Sequence, residues 1–167
     1  AFAAPPLIKS GPVDPTLSAQ VADVLRLDPS RIVAMEWVDN GPGWIGVLLG
    51  SAEEVLAVKA DASRWKGDHT LDVGIVGPYP PGSECAFEVR ALFTAEEGGM
   101  REDPVTGSLN ASLAQWLIGS GRATPPYLTS KGTCLGRAGR PRIDRDADGT
   151  IWVGGRTVTF VNGTLDL

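Results

Sequence analysis

The stretch that decides the fold is GSLNASLAQWLI, residues 107–118, which contains no charged residue. Its larger apolar residues recur at the spacing of one helix face, namely Leu109, Leu113, Trp116 and Leu117. Smaller or branched apolar residues cover most of the remaining helix surface, namely Ala111, Ala114 and Ile118. A helix on a protein surface carries charges along one face. We therefore expect this helix to be buried nearly all round. The sequence predicts an α+β fold, with a curved mixed or antiparallel sheet wrapped around a buried central helix.

The residues before this helix predict two further helices and four strands. Asp14-Pro15 is typical of a helix start, and Asp28-Pro29 ends the helix that follows. The segment Ser51-Ala52-Glu53-Glu54 has the pattern of a capping box and opens a short second helix. The four strands are predicted at residues 32–38, 44–49, 71–76 and 84–93. In the last of these, the side chains alternate between an apolar face that contains Phe87 and a polar face that contains Glu88 and Arg90.

After the central helix the sequence predicts only strands. A polar loop at 94–106 precedes the helix, and Gly119-Ser120-Gly121 ends it. Short apolar runs are then separated by Asp-Gly, Gly-Gly and Asn-Gly turns, which is typical of a β-meander. The four predicted strands cover residues 127–135, 140–145, 150–153 and 157–161. No internal repeat or linker divides the chain, so residues 1–167 are interpreted as a single domain.

Composition and charge exclude several classes of protein. The chain has 167 residues, of which 43% are hydrophobic and 21% are charged, as in an ordinary globular domain. Its net charge of −5 has the wrong sign for a nucleic-acid footprint, so we expect no nucleic-acid partner. Cys85 and Cys134 are far apart and have no second Cys or His close by in sequence, which argues against a zinc module or a disulfide scaffold. The sequence also predicts no membrane span and no secretory signal, and we expect a cytoplasmic protein.

The sequence predicts no cofactor and no metal. The G-x-G-x-x-G pattern of dinucleotide-binding sites occurs at residues 41–46, Gly41-Pro42-Gly43-Trp44-Ile45-Gly46. A predicted strand follows it, however, where that motif requires a helix. We interpret it as a hairpin loop. His69 is the only histidine and is predicted to lie on the surface. The basic cluster of Arg137, Arg140, Arg142 and Arg145 is interpreted as a solvated strand face, with a ligand-binding patch as the alternative.

The candidate site precedes the central helix. Free N–H groups at a helix N-terminus attract anions, and Gly107 allows a ligand to approach the backbone closely. Thr106 and Ser108 supply hydroxyl donors beside it, and the Asp103 carboxylate could handle a proton. The alternative is that Asp103 or Thr106 simply caps the helix.

The same segment carries a family resemblance. Glu102-Asp103-Pro104-Val105-Thr106-Gly107-Ser108 resembles the E-D-P-V-T-G-S signature of the phenazine-biosynthesis, PhzF-like, isomerase family. Other segments resemble family features in the same order, and together they extend over essentially the whole chain: Asp39-Asn40-Gly41-Pro42-Gly43-Trp44, Arg90-Ala91-Leu92-Phe93, Gly132-Thr133-Cys134-Leu135-Gly136-Arg137 and Val153-Gly154-Gly155-Arg156-Thr157-Val158.

The resemblance implies a fold, an activity and a set of site residues. Family members resemble diaminopimelate epimerase: two similar halves each wrap a sheet around a helix, and the active site lies between them. They are cofactor-independent isomerases that move protons on small carboxylate-bearing substrates. The resemblance assigns catalytic places to Asp103 and Ser108 and a backbone contact with the substrate to Gly107. Thr106, Gly107 and Ser108 are the predicted substrate-binding residues.

The resemblance also implies that this chain is the C-terminal half alone. The family's principal acid/base glutamate lies in the N-terminal half, and Lys131 stands where many relatives have Gln. One hypothesis is an isomerase whose active site is completed by another half, in a homodimer or with an N-terminal half-domain. The alternative is a non-catalytic half-fold that binds small carboxylates or serves in assembly.

Overall fold

A computed structural model of the protein describes residues 1–95 and 97–164. This part of the chain forms three α-helices, namely α1 (Pro15–Leu25), α2 (Ala52–Ala57) and α3 (Gly107–Gly119). It also forms ten strands, namely β1 (Phe2–Ala3), β2 (Lys9–Pro12), β3 (Ile32–Asp39), β4 (Ile45–Leu49), β5 (Asp72–Pro78), β6 (Phe87–Thr94), β7 (Met100–Asp103), β8 (Tyr127–Lys131), β9 (Arg142–Arg145) and β10 (Ile151–Gly154). The predicted α+β class is confirmed.

The strands form one mixed sheet in the order β1-β10-β9-β8-β6-β5-β4-β3-β2. The pairs β4–β5 and β6–β8 are parallel, and the other pairs are antiparallel. Strand β6 pairs with β5 along one edge. Its other edge is shared, because β8 pairs with residues 87–89 and β7 pairs with residues 91–94. The ends of β7 and β8 therefore meet at the middle of β6.

The N-cap residues predicted from the sequence are found at the starts of α1 and α2. Asp14 accepts a hydrogen bond from the N–H of Leu17 at 3.0 Å, and Pro15 is the first residue of α1. The Ser51 side chain accepts from the N–H of Glu54 at 3.2 Å at the start of α2. Each bond satisfies a donor that the helix itself leaves free. These local signals fix where the chain turns into each helix.

The sheet is covered on both faces. Alternate residues of β4 divide between the faces: Val47 packs in a cluster with residues of α1 and α2, and Leu48 packs in a second cluster with residues of α3. Most of α3 is buried, and the buried residues are Leu109, Asn110, Ala111, Ser112, Leu113, Ala114, Trp116 and Leu117. The uncharged sequence of α3 is explained by this burial, since a charged side chain there would lose its water.

Three predictions about strands need correction. Residues 100–103, predicted as loop, form β7, because the second edge of β6 offers them a partner. The strand predicted at 127–135 ends at Lys131 and is followed by a single 3-10 turn at Thr133–Leu135. The strand predicted at 157–161 is wrong, since these residues are exposed and form no strand. A strand needs a neighbour to accept its hydrogen bonds, and the described residues provide none there.

Two glycines allow α3 to lie close against the sheet. A Cβ atom at Gly74 would lie 2.3 Å from a methyl carbon of Leu109, and one at Gly46 would lie 2.9 Å from the Trp116 ring. Both distances are shorter than a van der Waals contact. The two positions therefore set the depth at which α3, and the segment before it, sits on the sheet.

Substitution of Gly74 by alanine should destabilise the protein. Leu109 is fully buried, so the added methyl group has to displace packed atoms, and we expect a loss of about 1–3 kcal/mol in the free energy of unfolding. Gly119→Ala is the control, because the space around Gly119 is open, and it should change stability by less than about 1 kcal/mol. Urea unfolding of both variants measures the difference. Equal stability of the two variants would contradict the close approach.

Among the described residues, no helix combines the length and the apolar character that a membrane crossing requires.

Candidate functional site

The Asp103 side chain organises the turn between β7 and α3. Its Oδ1 atom accepts hydrogen bonds from the backbone N–H of Val105 at 2.8 Å and from that of Thr106 at 2.9 Å. These are two donors that precede the helix and would otherwise be unsatisfied. Asp103 therefore organises the turn that precedes the helix. Among the described residues no side chain caps α3, so the alternative that Asp103 or Thr106 caps the helix is wrong. This role does not test the catalytic assignment of Asp103.

The environment of Asp103 favours the ionised carboxylate. Partial burial raises the pKa of Asp103, but several neighbours lower it by a larger total amount. They are the backbone N–H groups of Val105 and Thr106, the nearby Thr106 hydroxyl and the positive charge of Lys131. The net result is a pKa below the ordinary value. A carboxylate of this kind is a weak base that holds its negative charge at neutral pH.

Thr106 occupies a strained position at the start of α3. Its φ angle of 49° lies in the left-handed region, which costs a non-glycine residue about 1–2 kcal/mol. Its hydroxyl makes no cap bond to the helix, and within residues 1–95 and 97–164 the buried Oγ1 atom has no partner in hydrogen-bond geometry. The N–H groups of the first turn of α3 therefore have no side-chain cap.

Asn110 holds the strained turn in place. Its Nδ2 atom donates to the carbonyl oxygens of Val105 and Thr106, both at 2.9 Å. Its Oδ1 atom accepts from the hydroxyl of Thr129 on β8, also at 2.9 Å. One buried amide thus ties the turn, the helix and the sheet together. The sequence predicts that Asn110 lies on the buried helix, but no pattern in it indicates these bonds.

We expect Asn110→Ala to lower the free energy of unfolding by about 1–3 kcal/mol, because it leaves buried polar partners without hydrogen bonds. Gln115→Ala is the control on the same helix. Gln115 also donates to two carbonyl oxygens, but it is only partly buried, and its loss should cost less than about 1 kcal/mol. Urea unfolding gives both values. A cost for Asn110→Ala no larger than that for Gln115→Ala would show that the turn does not depend on this amide.

Ser108 is held by the loop between β3 and β4. The indole N–H of Trp44 donates to the Ser108 hydroxyl oxygen at 3.2 Å, and the Asn40 side-chain amide donates to the Ser108 carbonyl oxygen at 2.9 Å. Asp39 shapes this loop by accepting from the N–H groups of Gly41 and Gly43, both at 2.7 Å. The predicted hairpin interpretation of the glycine-rich pattern is confirmed. Because the Ser108 oxygen accepts from the indole, its own hydrogen is left to donate to a ligand.

An open cleft of about 590 Å³ lies beside the start of α3. Gly107 and Asn110 line it, whereas Asp103, Thr106 and Ser108 do not. Two arginines also line it, Arg140 and Arg156. Phe2 also lines the cleft, and its ring lies directly beside Gly107, 3.2 Å from where a Cβ atom of Gly107 would be. Of the four predicted site residues, only Gly107 therefore lines the cleft. Asp103 and Thr106 belong to the turn before α3, and Ser108 lies in the first turn of the helix.

The basic cluster predicted near the C-terminus is divided between two environments. Arg140 lines the cleft, and its guanidinium donates to the carbonyl oxygen of Gly139 and to the hydroxyl oxygen of Ser130. Arg142, in contrast, pairs with Asp144 on an exposed strand face. Arg156 lies in the segment 153–158 that resembles the family, but the sequence predicts no site role for it. His69 is exposed, as predicted, and lies beside Asp68.

No group of three or more metal-ligating side chains occurs within residues 1–95 and 97–164.

A comparison with family models identifies one family. The family model of the phenazine biosynthesis-like proteins matches residues 3–163. No curated protein sequence matches the chain. Among solved structures, a phenazine biosynthesis protein of the PhzF family from Enterococcus faecalis superposes with a TM-score of 0.65 at 20% identity, over 97% of this chain and 55% of that one. A PhzF-family protein from Bacillus anthracis gives a TM-score of 0.60 at 11% identity, over 80% of this chain and 50% of that one.

A third structure, described as a predicted epimerase from Pseudomonas aeruginosa, gives a TM-score of 0.61 at 18% identity, over 88% of this chain and 52% of that one. The chain therefore spans about half the length of these solved relatives. The likeness in structure establishes the shared fold, and the family match covers nearly the whole chain. This chain belongs to the phenazine biosynthesis-like protein family.

Proposed function

We propose that this chain is the C-terminal half of a cofactor-independent isomerase that moves a proton on a small carboxylate-bearing substrate. Membership of the phenazine biosynthesis-like family supports the reaction class, and one solved relative is described as an epimerase. The match to about half of each solved relative supports the half-fold, in which a sheet would surround helix α3, most of which is buried. The active site would then be completed by another half.

The observation that carries this proposal is the uncapped N-terminus of α3. Its N-cap residue, Thr106, makes no side-chain bond to the helix, and among the described residues its buried hydroxyl oxygen has no partner in hydrogen-bond geometry. A substrate carboxylate would accept hydrogen bonds from the N–H groups of Gly107 and Ser108 and from the Ser108 hydroxyl. The helix dipole adds to this attraction.

Asp103 would act as an orienting group rather than as the main base. One carboxylate oxygen is committed to the turn, and the lowered pKa makes the other a poor acceptor of a substrate proton. A negative charge beside the bound substrate can orient a hydroxyl or amino group and stabilise positive charge near it. The glutamate that the family resemblance places in the N-terminal half would move the proton.

The partner in this proposal is a second copy of the chain or a separate N-terminal half-domain. Large apolar side chains stand exposed near the end of the described chain, namely Val158, Phe160 and Val161. Apolar patches of this kind usually mark a surface that another protein covers. A monomeric mass by light scattering at micromolar concentration, unchanged by an added N-terminal half, would contradict this part of the proposal. Cytoplasmic location stays a prediction.

The proposal is tested first by ligand binding to the chain alone. Anthranilate serves as the probe, because it is a small, stable aromatic carboxylate. Ser108→Ala should weaken its binding about tenfold, since a hydrogen bond to a charged group contributes about 1.5–3 kcal/mol. Ser83→Ala, at an exposed serine outside the turn, should leave binding unchanged. Equal affinity in all three proteins would exclude the carboxylate site at α3.

The second test is hydrogen–deuterium exchange at carbon in a dihydro-hydroxyanthranilate, the substrate that the resemblance to the phenazine-biosynthesis isomerase implies. We expect no exchange with the chain alone and measurable exchange when an N-terminal half is added. Asp103→Asn should slow this exchange, whereas Asp68→Asn, at a fully exposed carboxylate, should not. Anthranilate binding without exchange in the reconstituted protein would favour the alternative, a non-catalytic half-fold that binds carboxylates.

A further inference from the structure

The shared edge of β6 brings a lysine to the candidate site. Strand β7 ends with Asp103 opposite Ala91, and β8 ends with Lys131 opposite Val89. Val89 and Ala91 are two positions apart, so the Cα atoms of Asp103 and Lys131 are about 7 Å apart along the same edge. Paired residues share a face of the sheet, and Val89 and Ala91 both pack in the cluster under α3. Asp103 and Lys131 therefore point to the same side.

Lys131 is fully buried, with 0% of its surface exposed. Its ammonium nitrogen is inaccessible and has no hydrogen-bond partner within the described residues. A buried cation without partners is costly unless nearby negative charge compensates it. A lysine retained in such a place therefore depends on carboxylates close to it.

The segment that follows Lys131 also packs on the Asp103 turn. A Cβ atom at Gly132 would lie 3.0 Å from the carbonyl oxygen of Pro104, and one at Gly139 would lie 3.1 Å from the same atom. Gly132 has a φ angle of +74°, which favours glycine as well. Lys131 and Gly139 form an isolated antiparallel β-bridge. Because Gly132 and Gly139 have no side chains, the backbone at this bridge can contact Pro104, the residue after Asp103.

We propose that Lys131 is a positioning residue of the site: its buried ammonium places a positive charge on the same side of the sheet as Asp103, faces the Asp103 turn from inside the protein and fixes the turn that opens α3. The inference rests on the proposed carboxylate-binding function of the turn. It assigns Lys131 no contact with substrate. The substrate would instead meet a turn whose charge and shape Lys131 maintains from inside the protein.

The charges around Lys131 support this arrangement. Burial lowers the pKa of Lys131 to about 8, and among the carboxylates that oppose this shift Asp103 has the largest effect. The other ionisable groups that act on Lys131 or on its neighbours come from β6, β7 and the adjoining loops: Glu88, Arg90, Glu102, Tyr79, Cys134 and Arg140. At neutral pH the lysine is mainly charged, and it loses its charge as the pH rises through about 8.

The inference is tested by titrating Asp103 in the whole chain with carbon-13 NMR of the carboxyl groups. Lys131→Met and Lys131→Gln remove the charge while keeping a buried side chain of similar length, and Lys66→Met is the control at an exposed lysine. The titration midpoint of Asp103 should rise in both Lys131 variants and not in Lys66→Met, because a nearby cation lowers a carboxyl pKa. Asp103→Asn identifies the signal. A midpoint equal to that of the unmodified protein in both variants would overturn the inference.

Anthranilate binding provides an independent readout. In the unmodified protein, affinity should fall as the pH rises above about 8, where Lys131 loses its charge. This decline should be absent in Lys131→Met, and Lys131→Met should have no further effect in the Asp103→Asn background. A shifted Asp103 titration without anthranilate binding would support the lysine's role and contradict the proposed function. Anthranilate binding with an unshifted Asp103 titration would support the proposed function and contradict the role of Lys131.

Discussion

Replacement of Arg90 by methionine is expected to lower the free energy of unfolding by about 3–5 kcal/mol, because it leaves a buried carboxylate without its cation. Two guanidinium nitrogens of Arg90 donate to the same oxygen of Glu102, at 3.0 and 2.8 Å. The third donates to the carbonyl oxygens of Val55 and Val58, at 3.2 and 2.8 Å. The two charged side chains are only 10% and 7% exposed, so water cannot replace the lost bonds.

The Arg142–Asp144 pair is a matched control for this prediction. It has a bond of 2.6 Å, but its side chains are 56% and 42% exposed, and Arg142→Met should cost at most about 1 kcal/mol. The double variant Arg90→Met/Glu102→Met should be more stable than Arg90→Met alone, because no unpaired charge remains. Urea unfolding measures all four proteins. Similar losses for the two arginines would mean that burial does not determine the strength of the Arg90 pair.

Local signals in the sequence predicted the helices well. Asp14 and Ser51 cap α1 and α2 as expected, and the uncharged stretch of α3 is buried as its composition indicated. Each of these features depends on residues within a few positions of one another. Capping and helical periodicity are short-range effects, so they can be read from the sequence without knowledge of the fold.

The environment of β6 could not be read in this way. The alternation along the strand separates Phe87 from Glu88 and Arg90, yet both faces are buried, with Glu88 at 0% exposure. The polar face is covered by the segment around α2, whose carbonyl oxygens accept from Arg90. Which element covers a sheet face depends on the order of strands. A periodic pattern in one strand does not contain that information.

In the candidate site, too, the local turn could be predicted from the sequence, whereas the contacts made by distant segments could not. The signature from Glu102 to Ser108 located the turn before α3, but the contacts that hold Ser108 come from Trp44 and Asn40, on a loop more than sixty positions earlier. Lys131 reaches the turn only because β7 and β8 share one edge of β6. The strand predicted at 157–161 failed for a related reason, since its alternating residues have no pairing partner in the described chain.

The second large effect is a pH-dependent difference in stability between the unmodified protein and Lys131→Met. Burial lowers the pKa of Lys131 from 10.5 to about 8 in the folded protein. Between these pH values the unfolded chain binds a proton that the folded protein does not, so the contribution of Lys131 to stability increases with pH. The stability of the unmodified protein relative to Lys131→Met should therefore rise by roughly 3 kcal/mol from about pH 7 to 10.5.

The comparison with Lys131→Met is needed because other groups act in the opposite direction over this range. Burial raises the pKa values of Cys85, Tyr127 and Tyr79, so the unfolded chain loses their protons first and stability falls as the pH rises. These contributions occur in both proteins and cancel in the difference. Urea unfolding at intervals of half a pH unit gives that difference directly. A constant difference would show that Lys131 titrates normally in the folded protein, and its full burial would then require a compensating charge stronger than Asp103 supplies.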